Sequence, residues 1–95
     1  MTFNIFGMKI RLIKEKDLAV KTGFSGVFYP PTKRIHIDAG YTGDKSMQVT
    51  LHEFLHAVIY RTGIDQVKLD EGVEEILCEN IATDLVENFT LKCKK

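Results

Sequence analysis

The chain has no surplus of either charge, little cysteine and no long apolar run, and each shortage excludes something. Thirteen Lys and Arg residues balance thirteen Asp and Glu residues, so the overall charge recruits neither nucleic acid nor an anionic membrane. No apolar stretch approaches the roughly 20 residues of a membrane span. The first residues lack a basic region leading into an apolar segment with a small-residue cleavage site. A cytoplasmic protein without a membrane partner is therefore expected. Two cysteines in 95 residues make no disulfide framework. Cys78 falls in a helical pattern and Cys93 near the end, so free thiols in a reducing compartment are the simpler reading.

What remains is enough for one domain, residues 1–95, with a limited core. The hydrophobic share of 44% against 27% charged suits a compact domain rather than a disordered segment. Met8, Ile10 and Leu12 alternate with Lys9, Arg11 and Ile13, a period of two that predicts a half-buried strand within 3–13. Lys14 to Asp17 read as a polar turn, and 18–22 as a short strand or an irregular segment. The two prolines, Pro30 and Pro31, remove ladder donors between Gly26–Tyr29 and Arg34–Asp38, which reads as a hairpin.

Two helices follow. The first runs from about Asp44 to Arg61, capped by Thr42 or Asp44 and stopped at Gly63, with Leu51, Leu55 and Ile59 expected against the sheet. The second runs from about Glu71 to Asn88 behind Asp70 as cap. It is apolar over so much of its circumference that it should be wedged between the first helix and the sheet.

The first helix carries His52-Glu53-Phe54-Leu55-His56. Histidines four apart lie on one helical face, so their rings can converge on one metal ion, with Glu53 beside them as base toward a water. Two imidazoles hold zinc weakly, and catalytic sites use three protein ligands plus an open position. No histidine follows His56, so the third ligand is a carboxylate of the second helix or His36. Glu75 is the first choice, with Glu74 and Glu71 as rivals. Glu79, one turn beyond Glu75, would accept the other ring proton of a ligand histidine. A bland reading stands beside this one, in which His52, Glu53 and His56 are solvated polar residues. His36, between Ile35 and Ile37, reads first as a solvent-side or cross-strand residue. Tyr60, Tyr41 and His36 are candidates to steady an oxyanion or touch substrate, and an extended peptide could pair along Arg34–Asp38 if that edge is open.

TLHEFLHAVIYRTG followed by EEILCENIATDL resembles the zincin metallopeptidases, in particular small phage- and prophage-encoded members. More distantly it is similar to the intracellular peptidases that cleave phage-type repressors. The resemblance covers most of the chain. It implies an α+β, minimal zincin-like fold: a short antiparallel sheet, the HExxH helix, then a second glutamate-bearing helix. It also implies zinc on His52, His56 and most naturally Glu75, Glu53 as the base, and a peptide or protein as substrate. Larger relatives often place alanine and asparagine three and four residues beyond the ligand glutamate, where this chain has Cys78 and Glu79. Ninety-five residues leave little wall for a cleft, so self-association or a phage or host protein partner is expected to matter. The alternatives are a metal-stabilised interaction module without peptidase activity and a metal-free scaffold.

Overall fold

Four strands and three helices follow from these patterns in a computed structural model that describes residues 1–5, 7–62, 70–90 and 92. The strand expected within 3–13 is two: β1 (Thr2–Ile5) and β2 (Met8–Glu15), paired antiparallel from Thr2↔Arg11 to Ile5↔Met8. Gly7 between them has φ 81, a left-handed turn that glycine makes without steric cost. Lys14 and Glu15, expected in a turn, stay in β2.

Residues 18–22 are neither strand nor irregular but a short helix, α1 (Leu18–Thr22). A long-range contact holds it: the Asp38 carboxylate accepts the Ala19 N–H at 2.8 Å. Gly23, at φ 80, closes it by donating to the Ala19 carbonyl. Five residues form no stable helix alone, so local sequence could not announce it. Bonds from Ala19 and Gly40 hold the Asp38 carboxyl below its usual range. A lowered folded-state pKa contributes stability above the unfolded value, lost as pH falls through the folded one. Asp38→Asn should therefore lower the urea midpoint at neutral pH and flatten its fall below about pH 4; an unchanged acid limb would remove Asp38 from this role.

Beyond α1 come β3 (Gly26–Tyr29), a single 3-10 turn at Pro30–Thr32, and β4 (Arg34–Asp38). The β3–β4 hairpin forms as read, with Gly26↔Ile37 through Tyr29↔Arg34. The sheet order is β1-β2-β4-β3, and β2 and β4 run parallel. The short sheet is thus mixed: α1 carries the chain to the far edge, and the hairpin returns β4 beside β2.

Ile5, Ile10, Ile35 and Ile37 form the buried side of the sheet. They meet Val49 and Ala57 of α2 (Gly43–Thr62), with Phe54 and Val58 packed around them. Each fully buried isoleucine contributes on the order of 1.5–3 kcal/mol, so this face fixes the helix's rotation. Leu51, Leu55 and Ile59, expected against the sheet, lie outside that cluster. They sit on the flank of α2 that Gln48 and His52 share, and those two residues bond to the last helix.

That helix, α3 (Glu71–Asn88), starts where Asp70 accepts the N–H groups of Gly72 and Val73 at 2.9 and 3.1 Å. It is not wedged between α2 and the sheet. It packs on α2, burying Cys78 and Ala82, and makes no substantial contact with a strand among the described residues. Val73, Ile76, Leu77 and Ile81 remain 45, 61, 43 and 43% exposed. Its apolar residues exceed what one neighbouring helix can cover. Gly63, Ile64–Lys68 and Cys93 lie outside the described residues.

Candidate metal centre

Because Val49, Ala57 and Phe54 hold α2 to the sheet, His52 and His56 emerge along its other side, between α3 and the β3 edge. Their ring centroids are 5.0 Å apart. His52 Nδ1 lies 2.7 Å from Glu79 Oε1, and His56 Nδ1 lies 2.6 Å from Glu74 Oε2. The other two ring nitrogens share one carboxylate: His52 Nε2 is 2.7 Å from Glu75 Oε1, and His56 Nε2 is 2.9 Å from Glu75 Oε2.

This pattern tests whether a metal suits the residues. A neutral imidazole donates one proton and no more, yet each ring here faces carboxylate oxygens at both nitrogens. With Nδ1 donating to Glu79 or Glu74, each Nε2 presents a lone pair toward Glu75. A divalent cation among these groups would satisfy both lone pairs and the carboxylate together. Ligand atoms of His52, His56 and Glu75 all lie within 4.8 Å of one another. Nitrogen and carboxylate donors suit zinc, and the Nδ1 contacts have the geometry by which outer carboxylates fix a ligand's tautomer. The residues fit the group.

The surrounding carboxylates favour positive charge at this site, whether on a ring or on an ion. Burial lowers the His56 pKa, but its hydrogen bond to Glu74 and the charges of Glu53, Glu75 and Glu74 outweigh that and leave it raised. Burial likewise raises Glu79, yet bonds from His52 and Gln48 leave it lowered. Cys78 is buried nearby, and desolvation together with the Glu74, Glu75 and Glu53 charges pushes its thiol up to about 12. It is a packed thiol outside the group formed by His52, His56 and Glu75.

Glu53 is buried beneath β3. Desolvation raises its pKa, as does Glu75; the His52 and His56 charges and the Phe28 N–H, turned toward it, oppose this without cancelling it. Gly26 makes the approach possible, since a Cβ there would stand 2.9 Å from Val49 Cγ1, 3.0 Å from Glu53 Cγ and 3.3 Å from the His36 carbonyl. Gly26→Ala must push β3 off α2 at the base of the site. Overpacking of this kind costs typically about 1–3 kcal/mol, which should appear as a lower urea midpoint with unchanged slope. A midpoint equal to wild type would show that β3 yields freely there.

A cleft of about 440 Å³ opens over the centre, with Glu53, His56 and Glu75 inside and Phe24, Phe28 and Tyr60 on its wall. Tyr60 packs edge-on to Phe28 at 5.6 Å, so this candidate does reach the cleft. Tyr41 does not: its hydroxyl pairs with Ser25 Oγ at 2.9 Å and its ring lies under Lys45. His36 also lies elsewhere, on the opposite sheet face, with Nδ1 2.7 Å from Glu15 and its ring against Tyr29. Glu71 is exposed in the first turn of α3, outside the His52, His56 and Glu75 group. Glu74, weighed as a rival ligand, faces the Nδ1 side of His56.

The edge expected to take a peptide is not open. β4 lies between β2 and β3, so Arg34–Asp38 is an interior strand, and β3 is the edge strand beside the cleft among the described residues. Gln48, which donates to Glu79 at 3.0 Å, was not anticipated. Its position four residues before His52, on the same helical face, was the available signal.

No protein-family profile, curated protein or solved structure matches the chain. What the fold and site define is a small α+β domain with a zincin-like pairing of His-x-x-x-His on one helix and a glutamate on the next. No described helix is long and apolar enough to cross a membrane.

Proposed function

We propose that this protein is a zinc-dependent peptide hydrolase, with His52, His56 and Glu75 as metal ligands and Glu53 as general base. The observation carrying this reading is the convergence of both Nε2 atoms on Glu75 beside a second, buried carboxylate that does not share that role. A site that only tied two helices together would need no Glu53. Zinc held there would lower the pKa of a water and polarise the scissile carbonyl.

The chain's own residues do the rest. Glu74 and Glu79 hold the two rings in one tautomer. The Glu53 carboxylate accepts a proton as water attacks and returns it to the leaving amine, and burial moves its pKa toward the working range for that exchange. Asp38 N–H donates to the Ser25 carbonyl, so in the register of β3 the backbone groups of Gly26 and Phe28 point away from β4. The Phe28 N–H is turned toward Glu53, so a peptide laid along this edge would meet the Gly26 backbone and the Phe28 carbonyl, until Pro30, which has no N–H. Phe24, Phe28, Ile59 and Tyr60 beside it favour an apolar side chain, and the Tyr60 hydroxyl is the remaining candidate to steady an oxyanion.

The direct test is zinc stoichiometry by elemental analysis, paired with hydrolysis of an unfolded protein substrate. One zinc per chain and chelator-sensitive cleavage are expected; a purified protein that takes up no zinc would end the proposal. A second reading is favoured by the exposed Val73, Ile76, Leu77 and Ile81 on α3: a metal-stabilised module whose helix surface binds another protein. It predicts stoichiometric zinc without cleavage.

A further inference from the structure

The sheet's other face carries a separate feature that total charge conceals. Its side chains alternate with the buried Ile5, Ile10, Ile35 and Ile37 and the partly buried Phe3 and Leu12. By register, Thr2, Arg11, Arg34 and Tyr29 form one row across all four strands: Thr2↔Arg11 in β1–β2, Arg11↔Arg34 in β2–β4 and Tyr29↔Arg34 in β3–β4. Strands about 4.8 Å apart make this row roughly 14 Å long. Lys9 and Lys33 flank it, and all six of these residues are exposed.

The acidic residues of this face are at its other end and already engaged. Glu15 holds His36 and Lys21, and Asp38 binds α1 and Gly40. Lys9, Arg11, Lys33 and Arg34 make no ion pair among the described residues. The compensating negative charge is elsewhere: α3 has Glu71, Glu74, Glu75, Glu79, Asp84 and Glu87 and no basic residue. Two arginines directly opposed in a parallel pair repel each other. An anionic partner would relieve that repulsion.

We propose that this open half of the sheet binds single-stranded nucleic acid, with phosphates on Arg11 and Arg34, aided by Lys9 and Lys33, and a base against Tyr29. An acidic peptide would use the arginines and leave the aromatic ring idle. A nucleic acid strand uses both, since bases stack on exposed aromatics while cations track the backbone. Tyr29 is braced for this: its ring stands edge-on to His36 at 5.0 Å, and Glu15 fixes His36 at 2.7 Å. The surface lies across the sheet from the metal centre, so this inference is independent of the peptidase reading.

Fluorescence anisotropy with labelled oligo-dT and oligo-U tests it on the full-length chain. Binding is expected at about 50 mM salt and should weaken linearly in log–log form as salt rises, with a slope near 0.7 per phosphate contact. Arg11→Ala with Arg34→Ala should cut affinity at least about tenfold and reduce that slope by about 1.4. Tyr29→Ala should weaken binding roughly five- to hundredfold with the slope unchanged. Circular dichroism should show the wild-type spectrum for each of these surface variants. No binding at low salt, or binding unchanged in the double variant, would overturn the proposal. So would tighter binding to poly-glutamate or to phosphatidylserine vesicles than to either oligonucleotide.

Discussion

Glu53→Gln should keep its zinc and lose roughly 10²–10⁴-fold in peptide hydrolysis, the usual contribution of a positioned general base. Glutamine preserves the shape that, beside Val49, fits beneath Gly26, so β3 and α2 should stay in contact. It cannot take up a proton at neutral pH, and that is the one capacity removed. Zinc content by elemental analysis and kcat/KM on the same preparation separate the two effects. Turnover within a fewfold of wild type would take Glu53 out of the chemistry. Loss of zinc together with activity would instead make it part of the metal's support.

Glu75→Ala should cost far more zinc affinity than any other substitution on α3. Glu75 alone among the described carboxylates faces both Nε2 atoms, so its removal takes away a donor outright. Glu74 and Glu79 each face one Nδ1. Losing such an outer partner typically weakens metal binding by roughly 10–100-fold, and Glu75→Ala should exceed that range. Glu71→Ala should change nothing measurable. Competition with a chromophoric chelator ranks the four variants. Equal losses for Glu74→Ala and Glu75→Ala would overturn the assignment.

The centre was legible because helical spacing is a local property. His52 and His56 must share a face wherever α2 lies, and Glu75 and Glu79, four apart, must share one on α3. Strand alternation was legible for the same reason in Met8, Ile10 and Leu12, and again in Ile35 and Ile37. What sequence left open depended on contacts distant in the chain. The turn at Gly7 divides one expected strand into two. α1 exists because Asp38, nineteen residues beyond Ala19, accepts its N–H. The parallel pairing of β2 with β4 has no local signature, and it places Arg34–Asp38 in the sheet's interior and leaves β3 as the edge. The rotation of α2 differs from the expected one because Leu51, Leu55 and Ile59 resemble a core stripe as well as Val49, Phe54, Ala57 and Val58 do. Only the sheet decides between them.

α3 supplies one donor of the candidate centre yet, among the described residues, is fastened to the rest of the protein mainly along one seam, through Cys78, Ala82 and the carboxylates that reach α2. Any ion held jointly by His52, His56 and Glu75 would act as a rivet across that seam. Its binding free energy would then appear as mechanical attachment of the final helix, and chelation would loosen that helix while the sheet and α2 kept their shape.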